Sequence, residues 1–200
     1  MTGADCVPSR EPKSGQLGLC PKAPHALLIT GIISRSEALA GQAESLLADA
    51  FGPIAERSPV IPFNFTDYYE PEMGKDLVRC WLGFSRLVPA DRLAEIKLLT
   101  DCLEQQLSLS PPPNRKSEIE NRKSVGRQAN LDPGLLTLHN LVLATTKDYA
   151  HRIYLHSGIH AEVTLVFNNG RYEPLPWTYA DYQTETCHKF LLRCRERLKY

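Results

Sequence analysis

Residues 25–34, HALLITGIIS, are an almost unbroken apolar, β-prone run. A strand of that composition has no polar face to give to water, so the run predicts a strand buried in the core. The segments after it must then supply the cover. Over 36–52, Leu39, Ala43, Leu46, Leu47 and Ala50 recur at helical spacing, with Ser36 placed to cap the start and Gly52-Pro53 to end the helix. Residues 54–65 read as extended, and Pro59 and Pro62 remove backbone donors, which places that segment at a sheet edge. Over 75–87, Leu77, Arg79, Trp81 and Gly83 alternate with Val78, Cys80, Leu82 and Phe84, a strand with one thoroughly apolar face. A helix over 89–108 follows, with Pro89 near its first turn and Leu93, Ile96, Leu99, Cys102 and Leu103 as its stripe.

The order βαββα calls for one more strand, which is expected around 125–131. Before it, 110–128 is proline-led, polar and rich in Arg and Lys, and reads as an exposed loop. Asp132 as N-cap with Pro133 at the first helical position predicts a helix to about 146, with a strand from 140 as the alternative. Ser157-Gly158 and Asn169-Gly170 are two-residue turn dipeptides between β-prone runs, so two hairpins follow. The chain closes on a helix with Cys187, Phe190, Leu191, Cys194 and Leu198 as its stripe. The expectation is an α+β domain over 24–200, a ferredoxin-like βαββαβ sandwich extended by antiparallel hairpins and a C-terminal helix. Residues 1–23, rich in Pro, Gly and Ser, read as a disordered leader.

Lys plus Arg and Asp plus Glu each number 23, so there is no global field to draw the chain to nucleic acid or an anionic membrane, and no DNA-binding signature. No apolar run is long enough to span a bilayer, and the N-terminus lacks a signal-peptide core. Of the six cysteines none forms a CxxC pair, and Cys102, Cys187 and Cys194 fall on apolar helix positions, which predicts buried reduced thiols in a cytoplasmic protein.

The stretch 141–155, LVLATTKDYAHRIYL, carries Lys147, Asp148, His151 and Arg152 between apolar ends. Pairing across Ser157-Gly158 puts His151 opposite Thr164 and on one face with His160 and Glu162, a weak metal candidate set that would otherwise be the solvated face of the sheet. Lys147, His151 and Arg152 together suit a phosphate, although Lys147 in the last turn of a helix would also be explained by the helix dipole. His151 with Asp148, or with Asp67 from FNFTDYYEPEMG, would make an acid–base pair, while Asp67 and Glu70 also resemble a helix-start cap. Tyr68 and Trp177 are candidate ligand contacts, Trp177 being the flat ring within PLPWTYADY.

FNFTDYYEPEMG, LVLATTKDYAHRIYL, AEVTL and EPLPWTYADY together resemble the bacterial domain-of-unknown-function family numbered 4416, over about residues 25–198. The resemblance implies a cytoplasmic bacterial protein and carries no catalytic residues, and the segment 110–128 is its least family-like part. Members are sometimes labelled GTP-binding, yet this chain has no GxxxxGK[ST] phosphate loop, and in TTKDY the Asp follows the Lys directly, unlike a guanine-reading TKxD. Three classes stay open at this point. The favoured one is a protein that binds a phosphate-bearing ligand, nucleotide or RNA, at TTKDYAHR. The second is a hydrolase or transferase using His151 with a carboxylate, with or without a metal. The third is an interaction module whose charges are structural. The basic C-terminal helix (Lys189, Arg193, Arg195, Arg197, Lys199) is the one RNA-facing candidate, and no cofactor is assigned.

Overall fold

A computed structural model describes residues 23–109 and 126–199. The predicted leader thus lies outside the described residues except for Ala23, and so does all but 126–128 of the predicted loop. The molecule is α+β, one antiparallel sheet with helices on both faces. The elements in chain order are β1 (His25–Ser34), α1 (Glu37–Phe51), β2 (Ile54–Arg57), β3 (Ile61–Pro62), the single-turn α2 (Glu70–Met73), β4 (Val78–Pro89), α3 (Leu93–Leu109), β5 (Ala129–Leu136), β6 (Asn140–Thr145), β7 (Ile153–Tyr154), β8 (His160–Asn168), β9 (Arg171–Pro174) and α4 (Glu185–Glu196). The strand order is β2-β4-β1-β5-β6-β8-β7, with β3 beside β4 and β9 beside β8.

β1 lies inside the sheet and is buried along its length after His25. Its Leu28 and Ile32 pack with Ala40, Ala43 and Leu47 of α1 and Ile96, Leu103 and Leu107 of α3. Its Leu27 and Ile29 face the other way, into a cluster with Trp81 and with Cys187, Phe190, Leu191 and Cys194 of α4. An apolar residue on both sides of the pleat therefore meets a helix layer on each, which is why the run contains no polar alternation. The Ser36 hydroxyl accepts from the Leu39 N–H at the start of α1, and Thr184 does the same for Cys187 at the start of α4.

Several sequence expectations are corrected. No helix covers 132–146; Asp132-Pro133 lies within β5, and β6 follows. Pro133 is tolerated because the β5–β6 ladder runs only from Gly134–Leu143 to Leu136–Leu141, so β6 has already turned away where the missing N–H would be needed. On α3 the buried line is Leu93, Ile96, Lys97, Thr100, Leu103, Glu104 and Leu107, whereas Leu99 and Cys102 are exposed. α3 thus buries a polar row, and among the described residues the buried free thiols are Cys80, Cys187 and Cys194. α2 has no side-chain cap, and Asp67 contributes only its carbonyl, which accepts from the Glu70 N–H.

Both turn dipeptides do turn the chain, with φ positive at Ser157, Gly158, Asn169 and Gly170. The second hairpin pairs Asn168 with Arg171 across a two-residue turn. In the first, Tyr154 pairs with His160 and Ile153 with Ala161, one residue off the simple two-residue register. The offset brings Arg152 beside Glu162 and moves His151 away from Thr164.

Candidate functional site

Where β5 and β6 part, the sheet opens into a cleft of about 950 Å³. Its outer rim comes from the loop before α2 (Phe63, Phe65, Tyr68, Tyr69) and from the residues just after β6, and its inner wall comes from β4, β5, α3 and the turn before α4. The Leu131 N–H and C=O have no strand opposite them at the gap. Glu104 Oε1 accepts from the N–H at 2.6 Å, and Lys97 Nζ donates to the carbonyl at 3.1 Å. Two α3 side chains therefore replace the missing strand, which meets the demand that buried backbone polar groups be paired.

Around that replacement runs a mixed-charge network. Lys97 Nζ is 2.9 Å from Asp101 and 4.0 Å from both Glu104 and Asp132. Arg127 Nη2 is 2.7 Å from Glu104 Oε2 and also donates to Asn130, whose amide donates to Asp132. Arg79, on the same side of the sheet as Asp132, is fully buried, 2.9 Å from Asp181 and 3.9 Å from Asp132. Its guanidinium lies over the Trp81 and Tyr182 rings at 4.7 and 5.0 Å. Gly31 makes room for it: a Cβ there would stand 2.6 Å from Arg79 Nη2 and 2.8 Å from the Tyr182 hydroxyl.

Burial pushes the Glu104 carboxyl up to about 7, against the downward pull of Lys97, Arg127 and the Leu131 N–H. A carboxyl raised on folding binds more protons in the native than in the unfolded state above its unfolded value. Its contribution therefore falls as pH rises from about 4.5 to 7. We expect wild type to lose on the order of 1–3 kcal/mol more than Glu104→Gln between pH 5 and pH 8, measured by urea midpoints at each pH. Parallel curves for the two proteins would contradict it.

A second cluster lies beside the cleft. Glu162, 2% exposed, accepts from Arg152 Nε at 2.8 Å and contacts His151 Nε2 at 3.0 Å. Arg152 also donates to the Lys147 carbonyl at 3.0 Å and the Tyr179 hydroxyl at 2.8 Å, so its guanidinium ties three elements together. The His151 ring stacks on Trp177 at 4.7 Å with 7° between planes, and Trp177 Nε1 donates to the Val163 carbonyl. Lys147 Nζ is held by Tyr68, 2.8 Å from its hydroxyl and 4.1 Å from its ring centre.

Of the residues singled out in the sequence, Tyr68, Lys147 and Glu162 line the cleft. Arg152, His151 and Trp177 buttress it from behind. Asp148 is 3.6 Å from His160, and neither it nor Asp67 meets His151, whose carboxylate partner is Glu162. Glu162 is engaged by Arg152 and His151, and among the described residues no group of three or more His, Cys, Asp or Glu is arranged to hold a metal ion. Sequence reasoning missed the inner wall: Arg79, Lys97, Glu104, Arg127, Asn130, Asp132 and Asp181. The available signal was Arg79, a cation at an inward position of a strand otherwise apolar on that face.

No curated protein and no solved structure matches the chain. Residues 24–198 match the family described as Domain of unknown function (DUF4416), with the rim, the inner wall and the Arg152–Glu162 buttress all inside the matched span, and the chain belongs to that family.

Proposed function

We propose that the protein binds a small phosphate-bearing ligand of nucleotide size in the cleft between β5 and β6, with Lys147 meeting the phosphate at the mouth. The observation that carries this reading is the state of Lys147: an ammonium at the rim, held by a tyrosine ring and hydroxyl and by no carboxylate among the described residues. An anion can therefore approach it without displacing a counter-ion. The volume falls within the range of ligand pockets, about 300–1,000 Å³, and the aromatic rim gives a flat ring a surface to lie on.

A small ligand is favoured over RNA because four of the five basic residues at the C-terminal helix are already engaged within the protein. Lys189 is 2.8 Å from Glu185, Arg193 is 3.2 Å from Glu56, Lys199 is 2.7 Å from Glu196, and Arg195 lies 3.6 Å over the Phe167 ring. The hydrolase or transferase reading with His151 is weaker, since Glu162 lines the cleft and its partner His151 does not. We also read β1, α1, β2, β4, α3 and β5 as a ferredoxin-like unit, on the support of the order β2-β4-β1-β5 with α1 and α3 on one face. A cytoplasmic location is supported by the free cysteines at 80, 102, 187 and 194.

Titration calorimetry with adenosine 5′-monophosphate is expected to show binding that weakens about tenfold in Lys147→Ala, with the melting temperature unchanged. Equal affinity in the two proteins would overturn the assignment of the phosphate to Lys147.

A further inference from the structure

The inner wall holds polar atoms that have no hydrogen-bond partner among the described residues. Arg79 is fully buried, yet none of Nε, Nη1 and Nη2 has the in-line geometry of a hydrogen bond, its 2.9 Å approach to Asp181 included. The hydroxyl of Tyr182, 1% exposed, has no partner among the described residues. Both residues line the cleft, as does Asp132. Asp132 faces two cations across matched gaps, Oδ2 3.9 Å from Arg79 Nη1 and Oδ1 4.0 Å from Lys97 Nζ. Unmade hydrogen bonds on buried groups cost about 1–3 kcal/mol each, so these groups favour a polar partner beyond those the described residues supply.

The charges decide what that is. A cationic group would meet Arg79 and Lys97, and an anionic group would meet Asp132 and Asp181. The compatible group is neutral and is both donor and acceptor. The gaps narrow it further, for both exceed hydrogen-bond length but are short enough for one oxygen to lie about 2.8 Å from each side. A hydroxyl does this with a single atom, donating to the carboxylate and accepting from the cation. Two such gaps flank one carboxylate, so two neighbouring oxygens are called for.

We infer that the inner end of the cleft is a sugar subsite, in which Asp132 accepts from a vicinal pair of hydroxyls while Arg79 and Lys97 donate to the same two oxygens and the Tyr182 hydroxyl supplies a further contact. Taken with the proposed phosphate at Lys147, on which the fuller identification rests, the ligand is a phosphorylated sugar or the sugar-phosphate part of a nucleotide.

The test is calorimetric titration of the intact protein with ribose 5-phosphate, glucose 6-phosphate and adenosine 5′-monophosphate. Each is compared with its 2-deoxy counterpart, alongside inorganic phosphate and free ribose. At least one hydroxylated compound is expected to bind about tenfold or more tighter than its deoxy form. Asp132→Asn should erase that preference and Tyr182→Phe should reduce it, both with folding confirmed by circular dichroism. Lys147→Ala should weaken hydroxylated and deoxy forms equally. Phosphates that bind alike with or without the hydroxyl overturn the sugar subsite and leave the phosphate reading standing. Free ribose bound as tightly as ribose 5-phosphate, with loss in Asp132→Asn, overturns the phosphate reading alone. No binding by any of the compounds overturns both.

Discussion

Arg79→Ala is expected to lower the unfolding free energy by about 3–5 kcal/mol, the range seen when one partner of a buried ion pair is removed. Three losses coincide at this position. Asp181, 5% exposed, keeps a charge with its counter-ion gone, the stacking on Trp81 and Tyr182 disappears, and a guanidinium-sized hole opens beneath Gly31. Urea denaturation followed by tryptophan fluorescence measures it, Trp81 being a direct neighbour. The double variant Arg79→Met, Asp181→Asn should recover part of the loss, because no charge is then left unpaired. A single-variant loss below about 1 kcal/mol would show that the buried guanidinium is structurally dispensable.

Glu162→Ala is expected to cost about 3 kcal/mol by the same reasoning, since it leaves the Arg152 guanidinium, 8% exposed, without its carboxylate. Its second effect distinguishes it. Arg152 fixes the Lys147 carbonyl and the Tyr179 hydroxyl, so the rim should loosen and affinity for phosphate compounds should fall in a protein that remains folded at low temperature. His151→Ala removes a contact to the same carboxylate but keeps the Arg152 pair, and should cost about 1 kcal/mol. Equal losses in Glu162→Ala and His151→Ala would assign the buttress to the imidazole.

How much of this could be read from the sequence depended on whether the deciding contacts were local. The doubly buried β1 run, the Ser36-to-Gly52 limits of α1, the Asn169-Gly170 hairpin and the stripe of α4 all follow from periodicity, caps or turn residues within one segment, and the structure contains each of them. Asp132-Pro133 misled because its local meaning, a helix start, was overridden by a tertiary circumstance, the early departure of β6. The first hairpin had the correct turn dipeptide and an offset register. A one-residue slip set Arg152 beside Glu162, so that carboxylate pairs with an arginine as well as with His151. The inner wall was hidden for a related reason. Arg79, Lys97, Glu104, Arg127, Asp132 and Asp181 come from four separate stretches of chain. Two of them sit on a helix whose more apparent stripe, through Leu99 and Cys102, faces solvent.

The parting of β5 and β6 has one further consequence. An unpaired strand flank is ordinarily a place where foreign chains add themselves, and proteins guard such flanks at the outer limits of their sheets with charge, proline or brevity. Here the unguarded flank would lie in the middle of the sheet. Pro133 offers no donor there, and the amide and carbonyl of Leu131 are taken by a carboxylate and an ammonium of α3. An invading strand would find neither a free donor nor a free acceptor at that position and would have to displace two opposite charges to register. The sheet can thus part at this point without offering the Leu131 position to a foreign strand.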